Sequence, residues 1–282
     1  MGIVAHIVIT GASSGLGAAL ARHYARQGAS LTLFGRHLVR LSAVAESCRA
    51  SGANVATHCC DVMDGPGMRE RLLSVDASLA VDLVIANAGI GGGAVIAPQA
   101  GESPALARSI LDTNTLGVLN TVSPLIERFM QRRQGQFVIV SSIMAYLGPP
   151  EAPVYSASKA AIRIYGHGLR RLLAPHGIAV TVVCPGFIDT PMSETLPFVA
   201  PFMISPEQAS ARIAKAVTQR RSEAVFPWQV RALAMVARML PQRALDSILG
   251  VGKELTVSDR QAPAAGYCQT ASATRDLIGE RR

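Results

Sequence analysis

A regular alternation constrains this chain more than any other feature. Short apolar runs, most of them rich in Val and Ile, recur at "IVAHIVIT" (3–10), "SLTLFG" (30–35), "NVATHCC" (54–60), "VDLVIAN" (81–87), "GQFVIVSS" (135–142) and "IAVTVVC" (178–184), with a short "AVF" at 224–226. Between them lie stretches of helical periodicity at 14–28, 37–52, 67–77, a long segment around 104–133, another from about 152 to 175, and 205–219. The last opens with Ser205 as N-cap and Pro206 at the first helical position. Several strands are apolar on both faces, and the connections are short. Parallel strands need crossover helices, so the pattern predicts a parallel sheet covered by helices on both sides, an α/β fold of the doubly wound kind. Residues 1–226 read as one domain, with no internal repeat and no linker. Residues 227–252 read as an apolar helical extension, and 253–282 as a tail of mixed composition, expected to be partly disordered or to touch another subunit.

Composition narrows the classes. Hydrophobic residues make up 49% and charged residues 16% of 282, which suits a packed globule and not a disordered chain. The net charge of +8 comes mostly from scattered arginines. There is no block of five or six like charges and no aromatic–basic interleaving, so nucleic acid is not an expected partner. A phosphorylated small molecule or an anionic membrane surface fits better. The five cysteines, Cys48, Cys59, Cys60, Cys184 and Cys268, form no C-x-x-C pair and read as reduced thiols. His58 and Cys60 alone do not make a metal site, and none is expected. The N-terminal run leads straight into a glycine motif without a basic stretch or cleavage site, and no 18-residue uncharged apolar run exists. The expected location is the cytoplasm, with peripheral membrane association as an alternative.

Two motifs carry chemistry. The first strand ends in "TGASSGLG", Thr10 to Gly17. Glycines at 11, 15 and 17 permit a tight turn and the close approach of a pyrophosphate. The following helix offers its first N–H groups to that anion, and the Ser13 and Ser14 hydroxyls can add to them. The second motif is "YSASK", Tyr155 to Lys159. On a helix, positions i and i+4 share a face. An ammonium beside a phenol would lower the phenol pKa, and such a tyrosine can exchange a proton with a carbinol oxygen. Ser142 closes the fifth strand and could hold the same oxygen. By itself the pair would also suit an ordinary exposed helix face.

Taken together, the motifs resemble those of the short-chain dehydrogenase/reductase family. "TGASSGLG" (10–17), "DV" (61–62), "NAG" (87–89), Asn114 in "DTNTLG", Ser142 in "VSSIMAYLG", "YSASK" (155–159) and "PGFIDTP" (185–191) stand in family order over about residues 1 to 226. The resemblance implies a Rossmann fold and hydride transfer to or from a nicotinamide cofactor. It implies that Tyr155 is the general acid or base, that Lys159 lowers its pKa and binds the nicotinamide ribose, and that Ser142 orients the substrate oxygen. Asn114 would support a water in a proton relay. Gly11, Ser13, Ser14, Gly15, Leu16 and Gly17 would cradle the pyrophosphate. Asp61 and Val62 would hold the adenine, with Asn87 and Ala88 beside its ribose. Pro185, Gly186, Ile188 and Thr190 would border the nicotinamide. NAD-preferring relatives end the second strand with an acidic residue. Here Gly35 stands there and Arg36 follows, which leads to the expectation of NADP(H).

In the family, the segment after "PGFIDTP" closes over the substrate. Here it is apolar, with Leu196, Phe198 and Phe202 as candidate contacts for a lipophilic carbonyl compound; packing against the C-terminal helices is the alternative. The stretch 228–250 suits an amphipathic helix that either packs on the protein or lies on a membrane. A homodimer or homotetramer is expected through the long helices near 104–133 and 152–175. The sequence leaves open a 3-ketoacyl reductase on carrier- or CoA-linked substrates, an enzyme oxidising an alcohol, and a catalytically silent NADP(H)-binding regulator.

Overall fold

The computed structural model describes residues 5–91, 102–150, 152–194 and 200–249. Seven parallel strands form one sheet: β1 (His6–Thr10), β2 (Ser30–Gly35), β3 (Val55–Cys59), β4 (Leu83–Ala86), β5 (Gln136–Val140), β6 (Ala179–Pro185) and β7 (Glu223–Phe226). Their order is β3-β2-β1-β4-β5-β6-β7. The order therefore reverses between β1 and β4, and doubly wound sheets open a ligand crevice at the carboxyl ends of the strands at such a point.

The both-faced apolar pattern of the strands has its expected consequence. Successive side chains of a strand point to opposite faces. Ile7 and Ile9 pack into one core with Leu16, Leu20 and Leu41 of α1 (Gly15–Ala25) and α2 (Leu38–Arg49), and with Ile213 of α8 (Pro206–Thr218). Val8 packs into the other core with Leu72 of α3 (Gly65–Ser78), Val122 of α5 (Gly117–Arg132) and Ile162 of α7 (Pro153–Leu173). The sheet is thus a doubly wound, Rossmann-type layer covered on both sides.

The boundaries differ from the sequence reading in three places. The long segment near 104–133 is not one helix. It is α4 (Pro104–Leu111), a π-helical turn (Asp112–Leu116) and α5. A short helix, α6 (Met144–Leu147), follows Ser142, where no helix was predicted. The apolar stretch after 228 is two helices, α9 (Trp228–Met239) and α10 (Gln242–Leu249), separated at Leu240–Pro241 because proline cannot donate to a continuing helix. Ser205 does cap α8: its hydroxyl accepts from Gln208 N at 3.1 Å, and the Gln208 side chain accepts from Ser205 N.

On α9, Trp228, Met235, Val236 and Met239 are exposed, while Val230 packs against Ile143. No helix among the described residues is long and apolar enough to cross a membrane. Cys48, Cys59, Cys60 and Cys184 are free thiols, and His58 stacks on Phe34 at 4.9 Å. Cys268 and the tail lie outside the described residues.

Candidate active site

The carboxyl ends of β1, β4, β5 and β6 open onto a cavity of about 390 Å³. Its floor is the glycine turn after β1. Gly11 sits at φ +66°, and a Cβ there would stand 2.8 Å from the Ala88 Cα. A Cβ on Gly17 would fall onto the Gly11 carbonyl oxygen and the Asn87 amide nitrogen. Only glycine fits these two positions. Asn87 holds the turn from the end of β4, donating to the carbonyls of Thr10 (3.0 Å) and Gly11 (3.4 Å). Asn87 N and Ala88 N donate to the Thr10 hydroxyl at 3.1 and 3.2 Å. Ser14, the N-cap of α1, makes no side-chain cap bond. The first-turn N–H groups of α1 are therefore left for an anion. The cavity wall here includes Gly11, Ser13, Ser14, Gly15, Leu16, Gly17, Asn87 and Ala88.

The opposite wall carries the proton-transfer candidates. Tyr155 lies in the first turn of α7 and Lys159 one turn on, with the Lys159 amine 5.8 Å from the Tyr155 ring centroid. Lys159 is buried and donates to the Val140 carbonyl at 3.1 Å. Ser141 fastens the same helix to β5 by donating from Oγ to the Lys159 carbonyl at 2.7 Å. Ser142 Oγ accepts from Met144 N at 3.2 Å and lies near enough to the Tyr155 hydroxyl to favour its ionised form. Asn114, fully buried, stands in the π-helical turn. Its Oδ1 accepts from Ile90 N (2.8 Å), and its amide donates to Ile90 O (3.0 Å) and Ser158 Oγ (3.1 Å). A Cβ on Gly89 would meet both Asn114 Oδ1 (3.1 Å) and the Lys159 amine (3.3 Å). So the π turn, the end of β5 and α7 bring four side chains that span 46 sequence positions, Asn114 to Lys159, to one place.

The electrostatics correct one expectation. The sequence argument had Lys159 pulling the Tyr155 phenol down. In this structure burial pushes the phenol above its ordinary value, opposed only by the Ser142 hydroxyl. Burial also brings the Lys159 amine down to about 8, so it is a weaker cation than the argument assumed.

The remaining candidates divide. Val62, Pro185, Gly186, Ile188 and Thr190 line the cavity, and Thr190 stands over the glycine turn, where a Cβ on Gly15 would come within 3.2 Å of its methyl group. Asp61 does not line it. Its carboxylate accepts from Met63 N at 3.0 Å and pairs with Arg36 at 3.4 Å. Arg36 lines the cavity at the end of β2 but already has this partner. Arg40, in the first turn of α2, lines the same wall, as does His37. The sequence reading passed over Arg40, and no local pattern marks it, since Arg36 precedes α2 and shares no helix face with it. Of the substrate candidates, Leu196 and Phe198 lie outside the described residues. Phe202 is 55% exposed and does not line the cavity. The apolar wall beside Ser142 and Tyr155 is formed instead by Ile143, Met144, Phe187, Ile188 and Met192.

Residues 5–197 match the family model for short chain dehydrogenase. The chain belongs to that family. It is similar to an uncharacterized oxidoreductase of Myxococcus xanthus, with 34% identity over 85% of this chain and 94% of the relative. It is also similar to a putative ketoacyl reductase of granaticin polyketide synthesis from Streptomyces violaceoruber, with 32% identity over 74% of this chain and 78% of the relative. Among solved structures, a short-chain dehydrogenase from Sphingobium yanoikuyae in complex with NADPH shares the fold. Its TM-score is 0.74 at 24% identity, covering 91% of this chain and all of that one. This chain is an oxidoreductase of the short-chain dehydrogenase family.

Proposed function

We propose that this short-chain dehydrogenase is an NADP(H)-dependent reductase of a lipophilic ketone or aldehyde. The observation that carries the reading is the convergence of Ser142, Tyr155 and Lys159 on one wall of a cavity whose floor is an anion cradle. A nicotinamide cofactor supplies the hydride when bound. Gly11, Ser13, Ser14, Gly15, Leu16 and Gly17 would hold its pyrophosphate, and Asn87, Ala88, Val62, Pro185, Gly186, Ile188 and Thr190 the rest of it. The cradle fits that group, since α1 keeps its first N–H donors open and the glycines clear the space a pyrophosphate needs.

Tyr155 donates the proton to the carbonyl oxygen, and Ser142 orients that oxygen. Lys159, held by Val140 and Ser141, sets the field around the phenol, and Asn114 fastens the turn at Ile90 beside it. Arg36 and Arg40 line the cavity at the end of β2, where they would meet a 2′-phosphate, and no described residue lining the cavity is acidic. That supports NADP(H) over NAD(H). Ile143, Met144, Phe187, Ile188 and Met192 favour an apolar substrate, because such a wall rewards buried area and offers a charge no partner. The likeness to a ketoacyl reductase supports carbonyl reduction as the reaction class and leaves an acyl-linked ketone as the second reading. Assembly through α5 and α7 is supported by the exposed Ile164 and Leu172 on α7.

The test is NADPH consumption by the purified protein on ketones graded from small and polar to polycyclic. Turnover should rise with apolar size and fall at least about 10²-fold in Tyr155→Phe, with NADPH affinity kept. Turnover that survives in Tyr155→Phe would refute the assignment.

A further inference from the structure

The helix that carries Tyr155 begins without a local cap. Ala152, its N-cap, has no side chain able to accept, and Pro153 has no N–H. Ser156 N donates to the Ala152 carbonyl at 2.9 Å. The two open donors are Val154 N and Tyr155 N. Both are taken by one carboxylate, that of Glu102, at 3.1 and 2.9 Å. Glu102 lies 52 and 53 positions away, and at 7% exposure it is buried, which is unusual for a glutamate. It stands immediately before Ser103, the N-cap of α4, and α4 runs on into the π turn that holds Asn114. One connection therefore grips both Asn114 and the backbone of Tyr155.

We infer that Glu102 is a positioning residue for proton transfer: it clamps the first turn of α7 so that the Tyr155 phenol stays on Ser142, and it favours the protonated phenol, setting the site to donate a proton to a carbonyl. This rests on the reductase reading of the same site and gives it a direction. The physical reason is the field at a helix start. Open N–H groups there are equivalent to about half a positive charge and stabilise an anion in the first turn. Tyr155 is the third residue of α7, within that turn. A carboxylate on those N–H groups cancels their field at the phenol. Among the described residues, the groups facing Tyr155 are few. Lys159 comes from its own helix, Ser142 from the β5–α6 connection and Glu102 from the segment before α4, with the neutral Cys184 thiol of β6 reaching Lys159. The Glu102 carboxylate adds to burial in disfavouring the phenolate, against Ser142.

Two measurements test this. Phenolate ultraviolet absorbance is titrated with pH in the wild type, Tyr155→Phe and Glu102→Gln, and subtracting the Tyr155→Phe curve isolates Tyr155. Glu102→Gln keeps one acceptor and loses the charge, so the Tyr155 midpoint should fall by a few tenths of a pH unit. An unchanged or higher midpoint overturns the inference. Second, with NADPH and acetophenone as the probe, Glu102→Ala should lower kcat about tenfold or more while KM for NADPH stays within about twofold. Equal losses in kcat and in NADPH affinity, together with a lowered Tm, would make Glu102 a general structural cap and overturn its positioning role. If the wild type does not reduce acetophenone, the reductase reading is in question for that substrate. The titration, which needs neither cofactor nor substrate, still decides the role of Glu102.

Discussion

Replacing Lys159 by Met should stabilise the free protein at neutral pH. Burial brings the Lys159 amine from its ordinary 10.5 down to about 8. At about 1.4 kcal/mol per pH unit, that difference costs the folded state about 3 kcal/mol wherever both folded and unfolded chains are protonated. Met has a stem of similar length and no charge to bury. It forfeits the hydrogen bond to the Val140 carbonyl, worth about 1 kcal/mol. The net gain is about 2 kcal/mol at pH 7, or roughly 5 °C in Tm. The pH dependence separates this account from simple repacking. Between pH 8 and 10.5 the unfolded wild type holds a proton that the folded form has lost, so wild-type stability rises with pH through that window. The advantage of Lys159→Met should therefore shrink from pH 8 upward, vanish at pH ~9.5 and reverse by about 1 kcal/mol near pH 10.5. Thermal unfolding of both proteins from pH 7 to 10 measures it. A variant less stable than the wild type at pH 7, or an advantage constant across that range, would refute the reasoning. Because Lys159 belongs to the proposed proton-transfer set, the gain in stability should come with loss of turnover.

Two further outcomes follow from the cradle and the arginines. Gly17→Ala drives a methyl group into the Gly11 carbonyl and the Asn87 amide, so it should destabilise by about 1–3 kcal/mol and abolish NADPH binding, measured by denaturant unfolding and cofactor fluorescence. Arg36→Asp and Arg40→Ala should each weaken NADPH about tenfold or more while leaving NADH affinity nearly unchanged, since each removes one charge-assisted contact to a 2′-phosphate; equal losses for both cofactors in a titration would contradict the NADP(H) preference.

Much of the fold was readable before any coordinates. The central strands sit where the apolar runs stand, because a strand buried on both faces must be apolar throughout, and that property is local. The glycine turn was readable for the same reason: a backbone that must turn sharply and clear an anion admits little else. Helix continuity was harder to read. The segment at 104–133 has an unbroken helical pattern, and the π turn that offsets Asn114 leaves no mark on apolar periodicity. Phe202, expected beside the substrate, does not line the cavity, because a sequence shows which residues are apolar and not which way a loop turns them.

The sequence by itself determined the alternation of strands and helices, the glycine cradle and the shared helix face of Tyr155 and Lys159, since each depends on neighbours within one or two turns of chain. Tertiary structure alone decided how those groups titrate and what holds them. Burial, which opposes the expected effect of Lys159 on Tyr155, is a property of the packed interior. The pairing of Arg36 with Asp61 and the Glu102 cap on α7 join residues 25 and about 50 positions apart. No local pattern encodes such contacts, because they exist only once the sheet has brought the ends of its strands together.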